Sequence, residues 1–149
     1  MTPRELLNTC RKEMLEIIIL AERREALEAG LLPRAIRLTW DRIKTHPEDH
    51  VSEVMAKVAD LDDEIVKKMA PMMERQLEAQ RLIETLDESR KRQALTLYYL
   101  TMYEEKRGKF RKERLHTWDD VAEKLFYDTS YCRKLATDAI RELTEGSGE

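Results

Sequence analysis

Between Thr117 and Leu143, in TWDDVAEKLFYDTSYCRKLATDAIREL, the apolar residues fall at the spacing of two short helices that meet at a tight turn. Val121, Ala122 and Leu125 share one face of a first helix of about two turns. Cys132, Leu135, Ala136, Ala139, Ile140 and Leu143 share one face of a second. The period is 3.6 rather than 2, so the segment cannot be a pair of half-buried strands. Thr117 stands at the N-cap, and Asp119 and Asp120 lie in the first turn, where carboxylates favour the helix dipole. Ala122 sits where the second helix must approach closely, so a larger side chain there would splay the pair. The residue at the turn is Phe126, at a site that often carries Gly because a positive φ is needed. Either Phe126 takes up that strained conformation or the turn is built in another way.

This spacing points to DNA reading rather than chemistry. Thr129, Ser130, Tyr131, Arg133 and Lys134 fall on the outward side of the second helix, toward its N-terminal end. In a helix-turn-helix that end enters the major groove. Arg133 or Lys134 can donate to guanine O6 and N7, Ser130 can donate or accept, and Thr129 can meet a thymine methyl or a phosphate. The competing reading is a plain helical hairpin packed on a core.

Just ahead of this motif, KRGKFRKER, residues 106 to 114, sets Lys106, Arg107, Lys109, Arg111, Lys112 and Arg114 against Glu113 alone. Gly108 marks a loop or turn. Together with Thr117, these six cations are the expected phosphate contacts. The charge is local: the chain as a whole has net charge −3, which argues against indiscriminate wrapping of nucleic acid.

The rest of the chain reads as helix. Only 4 Gly and 4 Pro, with 38% charged residues, favour long exposed helices over sheet. Thr2-Pro3 starts a helix whose apolar positions Leu6, Leu7, Cys10, Met14, Ile17, Ile18 and Ala21 predict a run to about Ala29, ended by Gly30. Leu31 to His50 is expected to be a less regular connection with a short amphipathic piece at Ala35 to Lys44, in which Trp40 plugs the hairpin. From Val51 a long helix carries an approximate heptad seam of Val54, Val58, Leu61, Ile65, Met72, Ala79, Leu82 and Leu86, interrupted by Lys68 and Arg75. Pro71 is expected to kink or break it after Met69 or Ala70. A further helix from about Glu88 to Glu105 would pack behind the two-helix motif, with Tyr98, Tyr99 and Tyr103 as core and rim residues.

The fold class expected is therefore all-α. Residues 1–86 form a coiled-coil-like long-helix hairpin for oligomerisation or partner binding, residues 87–144 a helix-turn-helix domain, and residues 145–149 a disordered tail. Cys10 and Cys132 are far apart in apolar patterns and read as reduced thiols in a cytosol. His46, His50 and His116 are scattered as solvated loop and turn residues. No metal, cofactor or catalytic constellation is expected, no segment is apolar enough to span a membrane, and an enzyme is not expected.

The segment from Thr117 to Leu143 resembles region four of bacterial primary sigma factors, which reads the promoter −35 element. The likeness runs through the TWDDVA start, the apolar ladder and the AIREL ending. By that resemblance Thr129, Ser130, Arg133 and Lys134 fall on base-reading positions and Tyr131 on a neighbouring basic one. The family's Arg and Glu at the first two positions are Thr129 and Ser130 here, so a different target sequence is implied. Over nearly the whole chain, VSEVMAKVADLDDEI, LIETLDESRKRQALTLYYL and TWDDVAEKL, in that order, are similar to the RinA/ArpU-like transcriptional regulators of Gram-positive phages and prophages. Where that family often has a short connection, this chain carries Thr101 to His116. The resemblance implies a sequence-specific DNA-binding regulator in the cytoplasm of a bacterial host. It would bind double-stranded DNA, form a homo-oligomer with a dimer favoured, contact RNA polymerase, and need no small-molecule substrate. Two rivals are a small DNA-packaging terminase subunit, also built from a helix-turn-helix and oligomerising helices, and a coiled-coil adaptor that binds no DNA.

Overall fold

The computed structural model describes residues 1–40, 47–108 and 110–147, apart from the side chains of 31–40, 47–50, 107, 110, 111 and 147. The chain is mostly helical with one small sheet: α1 (Pro3–Trp40), α2 (Pro47–Glu84), α3 (Ser89–Leu95), a π-helical turn (Thr96–Leu100), β1 (Met102–Arg107), β2 (Phe110–Leu115), α4 (Trp118–Leu125) and α5 (Thr129–Ser147).

Several boundaries differ from the sequence expectation. α1 does not end at Gly30 but continues to Trp40. A glycine in a helix interior costs only about 0.5–1 kcal/mol relative to alanine, which the helix formers Ala26 to Ala29 ahead of it outweigh. The irregular connection expected from Leu31 to His50 is thus helical at both ends, and His50 lies in α2. Residues 41–46, with His46, lie outside the described residues, as does the side chain of Trp40. Pro71 does not break α2, which runs through it. The expected tail at 145–149 is helical to Ser147, and the last two residues lie outside the description.

The chain divides into two compact units, Met1–Leu15 with Pro71–Glu149, and Glu16–Ala70. These do not follow the expected division at residues 86 and 87. In the second unit Ile18, Leu20, Val54 and Val58 are buried, while Ile19, Met55, Val66 and Met69 are exposed. Lys68, one of the two interruptions of the heptad seam, pairs with Glu16 at 3.4 Å, and Arg24 pairs with Asp62. Exposed pairs of this kind are screened by water and salt and contribute little to stability.

The first unit has the larger core. Leu6, Leu7 and Cys10 of α1 meet Ala79 and Ile83 near the end of α2, Leu86 just after it, Leu95 and Tyr99, and Ala136, Ala139, Ile140 and Leu143 of α5. The apolar stripe at the start of α1 therefore packs with the C-terminal third of the chain. Arg75, the other interruption of the seam, pairs with Glu13 at 2.8 Å. Burial, with Glu13 nearby, pushes the Cys10 thiol up to about 11, so it stays a protonated thiol at neutral pH. Lys91 of α3 pairs with Glu142 of α5.

The main departure lies at Thr101. The helix expected to run to Glu105 ends in the π turn at Leu100, and Thr101 is extended (φ −125°, ψ 152°). Met102 to Arg107 then form β1, antiparallel to β2 in a register running from Met102 opposite Leu115 to Arg107 opposite Phe110. Gly108 takes φ +61° in the two-residue connection, a conformation glycine adopts without steric penalty and one that two-residue hairpin turns require. The turn expected at Gly108 is present, but as the tip of a hairpin rather than within a loop.

Candidate nucleic-acid interface

The elements that carry the expected DNA contacts are anchored at one junction, between β2 and α4. His116 is 1% exposed there. Its Nδ1 lies 3.3 Å from both the carbonyl and the hydroxyl oxygen of Thr101. The Thr101 hydroxyl donates its one proton to the Leu97 carbonyl (2.9 Å), so Nδ1 carries the imidazole proton and donates to Thr101. Nε2 is buried with no hydrogen-bond partner among the described residues. Burial pulls the His116 pKa below its ordinary value. The Tyr103 ring of β1 packs on the imidazole, with ring centres 5.0 Å apart. His116 is thus a buried histidine that ties the base of the hairpin to the π turn, and it lies in the connection between β2 and α4.

The next residues start α4. Thr117 Oγ1 accepts from the Asp120 N–H (3.2 Å), and Asp120 Oδ2 accepts from the Thr117 N–H (2.9 Å), a complete capping box. Burial pushes the Asp120 carboxyl up, but the hydrogen bonds from Thr117 and from the Tyr103 hydroxyl outweigh it and leave the pKa below the ordinary value. Because the Thr117 hydroxyl also donates to Asp120 (3.0 Å), its donor and its N–H are both engaged in the cap. Thr117 is therefore not free to hold a phosphate without opening the box. Trp118 stacks on Tyr98 with ring centres 3.9 Å apart and planes 8° from parallel. The Arg11 guanidinium lies 3.8 Å from the same ring centre, so it must cover the opposite face, and it donates to the Tyr98 carbonyl at 2.5 Å. Tyr98, Tyr99 and Tyr103 are thus engaged in packing.

α4 and α5 close on each other through Val121, Ala122 and Cys132, all buried. The small Ala122 permits that approach, as its place in the sequence requires. Phe126 ends α4 in the left-handed region (φ 60°, ψ 41°), the strained alternative of the two left open by the sequence. Its side chain is 92% exposed, so no burial offsets the strain. The Tyr127 N–H then donates to the Ala122 carbonyl (3.1 Å), and the Asp128 carbonyl accepts the first helical bond of α5 from Cys132 (3.0 Å).

Of the five expected base-reading residues, three are presented outward: Ser130, Arg133 and Lys134 are exposed. Thr129 is half-buried and its hydroxyl donates to Asp119 Oδ1 (2.8 Å), joining the starts of α5 and α4. Tyr131 is half-buried too. Its hydroxyl accepts from Arg90 of α3 (3.0 Å) and its ring meets that of Tyr127 edge-on at 5.2 Å. Thr129 and Tyr131 thus hold α5 in place rather than facing outward. Thr137 and Arg141 are exposed seven and eleven residues after Ser130, on the same helical row. That row was available in the sequence, since it follows from the period alone. Arg90, 41 residues from Tyr131, had no such signal.

The basic segment is divided by the hairpin. Lys106 and Lys112 are exposed, and Arg114 pairs with Glu105 of β1. For Arg107 and Arg111 the backbone alone is described, and Lys109 lies outside the described residues. Among the described residues no group of His, Cys, Asp and Glu is arranged to hold a metal ion, and no helix is long and apolar enough to cross a membrane. No protein family, curated protein or solved structure matches this chain.

Proposed function

We propose that this chain is a sequence-specific DNA-binding transcriptional regulator of the phage or prophage type, working in the cytoplasm of a bacterial host. α4, the turn at Phe126 and α5 act as a helix-turn-helix, and α5 reads the major groove through Ser130, Arg133 and Lys134. The observation that carries this reading is the split of α5. Cys132, Leu135, Ala136, Ala139 and Ile140 are buried, while Ser130, Arg133 and Lys134 leave a polar, cationic row on the opposite side at its N-terminal end. Thr129 and Tyr131 position the helix.

The long helices support oligomerisation. Exposed Ile19, Met55, Val66 and Met69 are apolar positions that a second copy can cover, and a dimer would double both base reading and phosphate contact. Contact with RNA polymerase is an extension of the sigma-like resemblance. The test is binding of the full chain to fragments of the DNA around its own gene over a salt series, compared with Arg133→Ala/Lys134→Ala. The reading expects selective binding that the double substitution abolishes. Salt-sensitive binding indifferent to sequence and substitution would favour a DNA-packaging subunit. No DNA binding would favour a protein adaptor.

A further inference from the structure

We propose that Arg90 of α3 and the Tyr131 hydroxyl of α5 together form a binding site for one backbone phosphate of DNA, on the flank of the helix that reads the bases. This rests on the DNA-reading proposal above and names a contact that fixes how α5 sits in the groove.

The argument starts from the three consecutive cations of α3, Arg90, Lys91 and Arg92. Two of them are engaged within the fold. Lys91 is held between Glu88 (3.5 Å) and Glu142 of α5. The Arg92 guanidinium donates to the carbonyls of Leu86 and Asp87, closing the loop between α2 and α3. Arg90 differs from both. It is exposed, and among the described residues its one hydrogen bond is the donation to the Tyr131 hydroxyl oxygen (3.0 Å). The carboxylate that faces it, Glu88, is the one paired with Lys91. A guanidinium carries several N–H donors in a planar fork, so most of its donors remain open.

The hydroxyl is open in the same sense. Tyr131 accepts from Arg90 and keeps its own proton, for which the described residues offer no acceptor. Its ring is held edge-on by that of Tyr127 at 5.2 Å, so the hydroxyl is fixed in place rather than free to swing. A cation with spare donors thus lies beside an immobilised O–H donor. That pair suits an anion with several acceptor oxygens, and charge-assisted bonds to phosphate are the stronger kind.

Position identifies the anion. Tyr131 follows Ser130, which puts it about 100° round α5 from the outward row of Ser130, Arg133 and Lys134. An α-helix with its side chains is about 10–12 Å across and the major groove about 12 Å wide, so a helix seated there has its flanks against the sugar-phosphate walls. Contacts of this kind set register and orientation and carry no sequence information themselves.

The experiment uses duplexes selected from a random-sequence pool by the full wild-type chain. Methylphosphonate replaces one phosphate at a time along and beside the selected core, which removes a charge and leaves every base edge in place. Each protein's affinity for a substituted duplex is compared with its own affinity for the unsubstituted one, so a difference in folded fraction cancels. The wild type should lose about tenfold at one phosphate. Arg90→Gln should bind the unsubstituted duplex about tenfold more weakly, with a salt slope lower by about one and the same core preference, and should show no further loss at that phosphate. Tyr131→Phe, which keeps the ring, should show a reduced loss at the same phosphate. Equal losses for wild type and Arg90→Gln at every phosphate overturn the inference and leave Arg90 as a link between α3 and α5. A changed core preference in Arg90→Gln also overturns it. Failure of the pool to yield any selected sequence overturns the DNA-reading proposal itself, and this inference with it.

Discussion

The α4–α5 pair and the β1–β2 hairpin sit on either side of His116 and are stabilised in opposite ways. The helix pair buries Val121, Ala122, Cys132, Leu135, Ala136, Ala139, Ile140 and Leu143. In the hairpin no described side chain is fully buried: Met102, Tyr103, Glu105 and Leu115 are partly covered and the rest are exposed. A lone two-stranded hairpin is marginal in water, so this one depends on its ladder and on its anchor at His116. An element with little core has few residues committed to folding. Its charges can be arranged for a partner, whereas the charges of α5 are confined to the one face its core leaves open.

The largest effect should come from the helix side. Ile140→Ala removes a buried side chain shared with α1, α2 and α3 residues, and should cost about 2–5 kcal/mol in urea unfolding. The unfolding midpoint of the whole first unit should shift, including the Cys10 thiol, which a thiol reagent should reach only on unfolding. If Cys10 were labelled without any change in the midpoint, the start of α1 would not share a core with α5.

The hairpin side should break at its anchor, and acid is the means. The groups facing His116 are Thr101, Tyr103, Asp120 of α4, and the cations Lys124 and Arg11. Since burial depresses the folded-state pKa, the unfolded chain binds the His116 proton more readily. Its contribution is complete above about pH 6.5 and is lost as pH falls from there through the lower folded value. Urea unfolding of the wild type between pH 8 and pH 5 should show that decline, and His116→Gln should flatten it. Asp120 acts in the same direction only at lower pH, in both proteins, so the difference between them isolates the histidine.

A smaller effect, of opposite sign, lies in the turn. Phe126→Gly relieves a left-handed conformation that costs a side-chain-bearing residue about 1–2 kcal/mol, and loses almost no buried surface. After the added backbone entropy of glycine in the unfolded chain, a net gain of about 0.5–1 kcal/mol is expected in thermal unfolding. A destabilised Phe126→Gly protein would mean that the Phe126 ring has a contact in solution. A stabilised one with weakened DNA binding would mean that the strain is retained for function.

These contrasts also explain what was legible beforehand. The α4–α5 pair could be read because its signals are local and redundant: the period, the N-cap at Thr117, the small Ala122 and the awkward Phe126 all point to the same arrangement. The hairpin could not, because Ala94 to Met102 continues a helical pattern into β1, and the end of the helix is set by contacts of Thr101 with His116, 15 residues away. The basic run was visible, but not the pairing of Arg114 with Glu105 or the register that gathers the other cations toward the tip. Of the outward residues of α5, those freed by the period were foreseen, whereas the engagement of Thr129 by Asp119 and of Tyr131 by Arg90 depends on partners the period does not reveal. At Gly30 a single-residue stop signal was overridden by the helix on either side of it, and at Pro71 the helix continues through the proline.

The smallest stability effect should accompany the cleanest separation of the two regions. Lys106 is exposed on a strand with little core, so Lys106→Gln should alter unfolding by no more than about 0.5 kcal/mol. If Lys106 meets a phosphate, the same substitution should lower the slope of log affinity against log salt by about one while leaving the preference among sequences intact. Arg133→Ala should do the reverse, with a large loss of discrimination and a smaller change in slope. Should Lys106→Gln change sequence preference as strongly as Arg133→Ala, the division between a reading helix and a charge-bearing hairpin would fail. The two elements would then have to be treated as one recognition surface.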